Sequence, residues 1–386
     1  MKEKILFISS NYPPRIGGPA TTVPQVAKAL SKEFDISVIA FREKGVPSYE
    51  KTEFELFRSP SFYGFGFSNP LSVAIRTLQM SLYARWVLGK RNARIIHAHD
   101  THISAISALF CKYTSFGKKV FVKYAGDLVL EYSGLSESEG TSIEEIFARP
   151  TFKQRILLGI QKRIFRMADK LHVQNEYQAQ ILQKHYNIPR ADIVVIPNPI
   201  ELSFGESGAK KQGQEILMVS RIVPWKGHEI MLRAMPIIIK NKNSCRLTIV
   251  GDGEKKYVLK LQKLCRELGI GKNVSFAGKI PHQKLSPYYK KARVFIQPSL
   301  YEPFGITVIE ALAHGIPVVA SDTGGLPEIV KEGKTGFIFR AGNIEELARK
   351  TVRAFDFAPT KAEIRKTIGK FSLETIAKEY ERCYSG

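Results

Sequence analysis

The feature that most constrains the fold is a regular alternation between short apolar runs and longer segments of helical period. The runs consist mainly of valine, isoleucine, leucine and phenylalanine. They read KILFIS, ISVIAF, RIIHAH, KVFVKY, KLHVQN and DIVVIP in the first half, and EILMVS, RLTIVG, NVSFAG, RVFIQP and IPVVAS in the second. Apolar strands joined by helices are typical of parallel sheets that are covered on both faces. The pattern therefore predicts an α/β fold with two doubly wound parallel sheets.

The chain of 386 residues is long enough for two domains of ordinary size. Residues 201–214 are rich in glycine, serine and lysine and have little apolar periodicity, so we expect the linker there. The prediction is an N-terminal domain over 1–200, a second domain over 201–365, and a C-terminal segment over 366–386 that forms an amphipathic helix. Ligands of such sheets bind beyond the carboxyl ends of the strands, so two facing sheets would place a cleft between the domains.

The net charge of +22 predicts an anionic partner: nucleic acid, acidic lipid or a phosphorylated small molecule. Solubility alone is the alternative explanation. We expect no nucleic-acid partner, because the sequence contains no RNA- or DNA-binding motif. The four cysteines form no C-x-x-C pair, which argues against a disulfide framework and against a zinc site. With no signal peptide and no long apolar run in the sequence, we expect a cytoplasmic protein.

Two glutamates stand in an otherwise apolar stretch, PSLYEPFGITVIEALAHGIPVVASDTGG, at residues 298–325. A carboxylate that faces a packed core is costly unless a partner hydrogen-bonds it. Thr307 and Glu310 have the spacing of a capping box, which could satisfy Glu310 without a ligand. The sequence offers no such partner for Glu302. We therefore expect a ligand near this carboxylate.

Two cations, Arg221 and Lys226, lie in the loop that follows the strand EILMVS and leads into a helix. Cations at the edge of a sheet, beside the first amides of a helix near Ile306 and Thr307, form a binding site for a diphosphate. The alternative is a pair of solvated surface cations. We expect the two cations and the helix N-terminus to bind the same ligand.

Glycines follow strands in both halves of the chain. Gly251 and Gly253 flank Asp252 after the strand RLTIVG, where they would let a ligand approach the backbone or form an ordinary turn. Gly17 and Gly18 lie in the loop after the first strand. They do not form a dinucleotide-binding fingerprint, because G-x-G-x-x-G is absent.

Together the motifs RIVPWKG, VGDGE, PSLYEPFGITVIEALAHGIPVVASDTGGLPEIV and GKTGFI resemble the donor-binding half of the retaining glycosyltransferases of family 4. The resemblance covers nearly all of residues 215–340. It implies the GT-B fold, in which two facing Rossmann-like domains bind acceptor and nucleotide-sugar donor. It also implies transfer of a sugar from a nucleoside diphosphate to an acceptor hydroxyl with retention, and a terminal segment that packs back on the N-terminal domain.

The resemblance also implies roles for the cations and the helix. Arg221 and Lys226 would neutralise the donor diphosphate, and the amides of Gly305, Ile306 and Thr307 would bind its distal phosphate. Further donor contacts are implied for Gly18, Gly251, Asp252 and Gly253. Since cations and a helix N-terminus can stabilise a leaving diphosphate, we expect neither a metal nor a cofactor.

The two glutamates receive different roles from the same resemblance. Glu302 would contact the sugar near the reacting carbon, and we take it as a catalytic residue. Glu310 would accept hydrogen bonds from the ribose hydroxyls. One carboxylate would therefore bind the sugar and the other the nucleoside.

The acceptor side departs from the family pattern. Many relatives have a histidine where this chain has Ala125. Asp127, two residues later, could orient the acceptor hydroxyl or take its proton, or could cap the next segment. His97 and His99 lie on one face of a strand, where acceptor or domain contact, packing and zinc binding are the alternatives. We predict catalytic work for Asp127 and acceptor contacts for His99 and Gly17.

The acceptor itself is expected to be a sugar, a glycan or a lipid-linked molecule, in the synthesis of envelope polysaccharide or glycolipid. The segment TFKQRILLGIQKRIFRMADK is basic and amphipathic, so it either lies on an anionic membrane or covers a sheet with its apolar face. Two other functions remain open: a nucleotide-sugar-binding protein without turnover, and a nucleic-acid-binding protein.

Overall fold

The structure is a computed structural model, and it describes residues 2–15, 18–60, 70–124, 126, 129, 143–200 and 213–385. The chain divides into two compact units. The first unit comprises residues 1–133, 146–199 and 373–386, and the second comprises residues 134–145 and 200–372.

The part of the chain before residue 200 supplies one sheet of eight strands. Its elements are β1 (Lys4–Ile8), α1 (Gly18–Leu30), β2 (Asp35–Phe41), β3 (Tyr49–Lys51), β4 (Glu55–Ser59), α2 (Pro70–Arg91), β5 (Ile95–Ala98), α3 (Ile103–Tyr113), β6 (Lys119–Lys123), α4 (Ile143–Ala148), α5 (Phe152–Met167), β7 (Lys170–Val173), α6 (Glu176–Tyr186) and β8 (Ile193–Val195). The strand order is β3-β4-β2-β1-β5-β6-β7-β8. All neighbours run parallel except β3 and β4.

The remainder supplies a sheet of six strands and the last helix. Its elements are β9 (Glu215–Val219), α7 (His228–Asn241), β10 (Arg246–Val250), α8 (Lys255–Glu267), β11 (Val274–Gly278), α9 (Ser286–Lys291), β12 (Val294–Gln297), α10 (Ile306–Ala313), β13 (Val318–Ser321), α11 (Leu326–Ile329), β14 (Gly336–Phe339), α12 (Ile344–Phe355), α13 (Lys361–Ile368) and α14 (Leu373–Ser385). The strand order is β11-β10-β9-β12-β13-β14, with all pairs parallel.

The sheet of the second unit is buried on both faces, because successive side chains of its strands point into different cores. In β9, Ile216 and Met218 belong to one cluster and Leu217 and Val219 to the other. The two clusters lie on opposite sides of the strand, as the period of two requires. Strands buried on both faces explain why the sequence shows continuous apolar runs here.

The terminal helix α14 packs within the first unit. Ile376, Ala377, Tyr380 and Tyr384 join the core that includes Val23 and Ala27 of α1. The Tyr384 hydroxyl is 2.5 Å from Nδ1 of His97 in β5. The sequence placed the start of this segment at residue 366, but Ile368 and Phe371 are buried in the second unit's core. The second unit therefore runs to Ser372.

Three buried histidines of the first unit form what we call the histidine cluster: His97, His99 and His172. Nδ1 of His172 is 3.2 Å from Nε2 of His97, and Nε2 of His172 donates to the Ile196 carbonyl at 2.7 Å. Burial holds the pKa of all three well below its usual value, and the nearby Lys123 lowers it further. The cluster is therefore neutral at pH 7.

All eleven strands that the sequence predicted are present, and three further strands were missed. Arg58 lies in β4 and is buried, where it binds Glu50 of β3 at 3.0 Å and interrupts the apolar run. In β14, Gly336 lies so close to β13 that an added Cβ would be 1.9 Å from the Val318 carbonyl oxygen. In each missed strand a charge or a glycine interrupts or bounds the apolar run.

Candidate functional site

The candidate site lies in the second unit, where the chain order of the sheet reverses. Strands β9 and β12 are neighbours, and the chain moves away from them in opposite directions. Ligands of open α/β sheets bind beyond the carboxyl ends of the strands at such a point. The loops that follow these two strands carry Arg221 and Lys226 after β9, and Glu302 after β12.

Close backbone contacts fix the loop after β9 against the loop after β12. Gly227 has φ +72°, and an added Cβ would be 1.9 Å from the carbonyl oxygen of Pro298. The amide of Leu300 donates to the carbonyl of Trp225 at 2.8 Å. Lys226 lies between these two contacts in sequence, so its backbone position is fixed relative to β12.

The glycines after β10 have a structural explanation. At Gly251 an added Cβ would be 1.9 Å from the Ser220 carbonyl oxygen, and at Gly253 it would be 1.9 Å from that of Ile222. The amide of Ile222 donates to the carbonyl of Asp252 at 2.7 Å. Of the two alternatives that the sequence left open, these contacts support the turn, because the protein's own loop occupies the space beside both glycines. Donor contact by these residues stays a prediction.

Glu302 is 8% exposed and is bound by its neighbours through one oxygen. Oε2 accepts from Lys226 Nζ at 2.7 Å, from Gln297 Nε2 at 2.9 Å and from Ser299 Oγ at 3.4 Å. Gln297 in turn accepts from the Thr307 hydroxyl at 3.3 Å. The expectation that the chain has no partner for Glu302 is therefore wrong. Within the described residues, no hydrogen bond reaches Oε1.

The backbone of Glu302 is held by the turn after β13. Gly324 has φ +58°, and an added Cβ there would be 1.8 Å from the Glu302 carbonyl oxygen. The amide of Gly325 donates to the same oxygen at 3.0 Å. A side chain at Gly324 would displace Glu302, so this glycine is required for the geometry of the site.

Glu310 lies on α10 and is bound by two side chains from the preceding elements. Oε1 is 2.7 Å from Nε2 of His282, and Oε2 accepts from the Tyr289 hydroxyl at 2.7 Å. Burial raises the pKa of Tyr289 well above its usual value, and the Glu310 charge raises it further. The Tyr289 hydroxyl therefore stays protonated and donates its hydrogen bond to Glu310. The capping box that Thr307 and Glu310 offered as an alternative does not form, because Gly305 is the N-cap of α10 and no side chain caps it.

The first turn of α10 presents its amides at the same edge of the sheet. The helix begins at Ile306, one residue after Gly305, which has φ +101°. The first amides of a helix have no partner inside the helix and carry its positive dipole end. Arg221 is exposed, and its guanidinium is 5.8 Å from the ring centre of Trp225. Two cations and a helix N-terminus therefore share one sheet edge.

Two family models match consecutive parts of the chain. Glycosyltransferase Family 4 matches residues 16–204, and Glycosyl transferases group 1 matches residues 199–369. The chain belongs to the family 4 glycosyltransferases.

The similarity to known proteins covers nearly the full length of this glycosyltransferase. An uncharacterized glycosyltransferase from Methanocaldococcus jannaschii is 27% identical over 99% of this chain and 97% of its own length. Sucrose-phosphate synthase from Thermosynechococcus elongatus superposes with a TM-score of 0.77 at 21% identity, over 100% of this chain and 98% of the other. Anabaena HepE in complex with UDP and glucose gives 0.72 at 18% identity, over 100% of both chains. The fold is GT-B.

The structure of the glycosyltransferase's first unit bears on the acceptor contact that was predicted for His99. His99 is 1% exposed and stacks on His97, with ring centres 4.6 Å apart. The predicted acceptor contact is therefore corrected, because this ring is buried in the histidine cluster. Gly18 is exposed and begins α1. Gly17 and Asp127 lie outside the described residues.

No group of histidine, cysteine, aspartate or glutamate side chains in the described part of the glycosyltransferase has the arrangement of a metal site. No helix among the described residues is long and apolar enough to cross a membrane.

Three residues that hold the glutamates were missed by the sequence analysis: Gln297, His282 and Tyr289. Gln297 ends the strand β12 and is fully buried, and a polar residue at the end of an apolar run was a usable signal. His282 and Tyr289 are 28 and 21 residues from Glu310. No local pattern links residues that far apart.

Proposed function

We propose that this glycosyltransferase moves a sugar from a nucleoside-diphosphate donor to an acceptor hydroxyl, with retention at the anomeric carbon and without a metal ion. The observation that carries the proposal is the pair formed by Lys226 and Glu302. Its atoms are 2.7 Å apart at the point where the sheet order reverses, beside the first turn of α10. A pair of this kind can bind a phosphate through the cation and a sugar through the carboxylate.

The diphosphate would be bound by Arg221, Lys226 and the amides of Gly305, Ile306 and Thr307. Negative charge develops on the leaving diphosphate as the bond to the sugar breaks. Fixed cations and helix amides stabilise that charge without reorganisation, and electrostatic stabilisation of this kind is usually the largest single contribution to catalysis. This arrangement supplies the positive charge that a metal ion would otherwise supply.

Glu302 would contact the sugar ring through Oε1. The other oxygen is held by Lys226, Gln297 and Ser299, so the carboxylate cannot rotate without breaking these hydrogen bonds. A carboxylate fixed in this way is positioned for a sugar hydroxyl near the reacting carbon. Lys226 would then touch both the carboxylate and the phosphate, which couples sugar binding to diphosphate binding.

Glu310 would bind the ribose hydroxyls. Tyr289 holds Oε2 from the buried side, whereas the partner of Oε1, His282, has a side chain that is 64% exposed. An exposed imidazole can rotate into solvent when a ribose hydroxyl arrives. We infer that His282 occupies the ribose position on Glu310 until the donor binds.

In the proposed transfer the bond between the anomeric carbon and the diphosphate breaks, and the bond to the acceptor oxygen forms on the same face of the sugar. The acceptor proton passes to the leaving phosphate oxygen, so the step needs no second catalytic carboxylate. Asp127 would orient the acceptor hydroxyl. The proposed acceptor is a glycan or a lipid-linked molecule, in the synthesis of envelope polysaccharide or glycolipid.

The HepE structure is a complex with UDP and glucose, and HepE shares the fold over its full length. We therefore propose UDP-glucose as the first donor to assay, followed by other uridine, guanosine and adenosine diphosphate sugars. The similarity is one of fold, so the base of the donor has to be measured.

Transfer with a panel of donors and glycan acceptors, followed by proton NMR of the product, tests the proposal. We expect an anomeric configuration that matches the donor and a rate that EDTA leaves unchanged. An inverted product would contradict the retaining mechanism, and loss of rate in EDTA would contradict metal independence. Donor binding with neither release of free sugar nor transfer, across all acceptors, would favour a binding protein over a transferase.

A further inference from the structure

Helix α2 has two apolar faces. One face is fully buried and includes Met80, Ala84 and Val87. The opposite face exposes five large apolar side chains at spacings of four, three, four and four residues. These side chains, which we call the α2 stripe, are Leu71, Ile75, Leu78, Leu82 and Trp86, and they are 42–67% exposed. At 1.5 Å per residue the stripe is about 22 Å long.

The neighbouring helices extend this surface. The connections β4 to β5, β5 to β6 and β6 to β7 all advance in the same direction across the sheet, so right-handed crossovers place α2, α3 and α5 on one face. Helix α3 contacts both α2 and α5. Of the fourteen exposed large apolar side chains among the described residues, ten lie on these three helices. We call this surface the three-helix face.

The helices of the three-helix face carry charges of one sign, although Arg76 is buried and Arg91 and Lys112 pair with Asp35, Glu55 and Asp169 outside these helices. Pro70–Arg91, Ile103–Tyr113 and Phe152–Met167 together contain no aspartate or glutamate and ten lysines and arginines. The terminal helix α14, by contrast, contains three glutamates. Arg85 and Lys90 flank the α2 stripe, and Lys90 lies 3.8 Å from the ring centre of Trp86.

We propose that the three-helix face docks on an anionic lipid bilayer, with the α2 stripe in the boundary between headgroups and acyl chains. Helices that lie on membranes combine a large apolar side with lysines and arginines that attract anionic headgroups. Trp86 and Tyr83, with ring centres 5.3 Å apart near one end of the stripe, suit the interface, where aromatic rings are enriched.

A second copy of the chain is the other occupant to consider. In a symmetric dimer the same patch meets itself, so Arg85 and Lys90 of each copy would approach the like charges of the other. Repulsion of this kind opposes the dimer, whereas anionic headgroups neutralise the same cations. Charge complementarity therefore favours the bilayer. The docking does not depend on the proposed transfer reaction.

Vesicle flotation of the full chain is the first test. We expect the wild type to float with vesicles of phosphatidylcholine and phosphatidylglycerol at low salt, and poorly with phosphatidylcholine alone. Leu78→Gln with Leu82→Gln should weaken partitioning by about tenfold or more, because two apolar anchors are lost. The matched control is Ile237→Gln with Leu259→Gln, which alters two exposed apolar side chains of the second unit and should bind as the wild type does.

The charge arm uses Arg85→Gln with Lys90→Gln, which keeps the stripe intact. We expect binding to anionic vesicles to fall by about tenfold or more, and binding to neutral vesicles to stay the same. The proposal would be overturned if the wild type, the stripe variant (Leu78→Gln with Leu82→Gln) and the charge variant (Arg85→Gln with Lys90→Gln) floated equally. A wild type that ignores anionic vesicles but sediments as a dimer that the stripe variant dissociates would also overturn it, since the face would then bind a second copy.

Tryptophan fluorescence provides a test that needs no change in the stripe. The chain has two tryptophans, so Trp225→Phe leaves Trp86 as the single reporter. On addition of anionic vesicles its emission should shift to shorter wavelength, and brominated lipids should quench it. An unchanged emission maximum at saturating lipid would show that Trp86 stays in water and would refute the docking geometry.

Discussion

Replacing Lys226 by methionine keeps most of the side-chain volume and removes the charge that pairs with Glu302. The two side chains are 12% and 11% exposed, and their charged atoms are 2.7 Å apart. At an effective dielectric constant of about 20, the Coulomb attraction at this distance is about 6 kcal/mol before desolvation. Without Lys226, the Glu302 carboxylate keeps only the neutral donors Gln297 and Ser299.

Breaking a buried ion pair from one side costs about 3–5 kcal/mol, because a charge is left without its partner. We expect Lys226→Met to lower the free energy of unfolding of the second unit by about 3 kcal/mol, the lower limit, since both side chains reach solvent. Adding Glu302→Gln removes the stranded charge. The double variant should therefore be more stable than Lys226→Met by about 2 kcal/mol.

Urea unfolding monitored by Trp225 fluorescence in a Trp86→Phe background measures this, because the only tryptophan then lies in the second unit. Lys263→Met is the matched control, since its pair with Glu267 is exposed and should contribute about 0.5 kcal/mol or less. A double variant no more stable than Lys226→Met would refute the reasoning, since the cost would then not come from a stranded carboxylate.

Three further predictions concern geometry, the nucleoside side of the site and pH. Gly324→Ala should destabilise the second unit by about 3 kcal/mol and lower transfer, whereas Gly271→Ala, where an added Cβ meets nothing within 4 Å, should do neither; urea unfolding and initial rates decide. Tyr289→Phe removes the buried donor to Glu310 and should cost about 1–2 kcal/mol of stability and weaken nucleotide binding in calorimetry; unchanged affinity would separate Glu310 from the ribose. The folded-state pKa of the histidine cluster lies below the unfolded value, so the unfolded chain binds more protons below about pH 6.5 and stability falls as pH falls, by about 1.4 kcal/mol per pH unit for each histidine. His172→Gln should reduce the slope by about a third between about pH 6.5 and 5.5 in urea titrations followed through Trp86, and an unchanged slope would show that the cluster is not its source.

The sheets could be predicted from the sequence because strands that are buried on both faces have continuous apolar sequences. The sequence analysis missed β3 and β4, where the buried Arg58 is satisfied by Glu50 of the neighbouring strand, a partner that only the fold supplies. It also placed Arg221 and Lys226 at the same sheet edge as the first amides of α10, since loops that follow neighbouring parallel strands lie at one edge of a sheet.

The contacts inside the site were less predictable. The spacing of Thr307 and Glu310 allowed a capping box, but the carboxylate is bound by His282 and Tyr289, which the fold brings from another helix and turn. The glycine at 251 indicated a close approach, and the sequence does not specify whether ligand or protein makes it. His99 could be placed on one face of β5, but its burial depends on packing against residues from distant elements.

Nucleotide binding by calorimetry tests the central claim most directly: that the edge of the second unit's sheet binds a nucleoside diphosphate through Lys226. UDP, GDP and ADP would be titrated into the wild type, Lys226→Met and the exposed control Lys263→Met. The account predicts that one of the three binds the wild type and the control equally, and binds Lys226→Met about tenfold or more weakly, since a charged contact is worth at least about 1.4 kcal/mol. Equal binding to all three proteins, or no binding of any nucleotide, would contradict it.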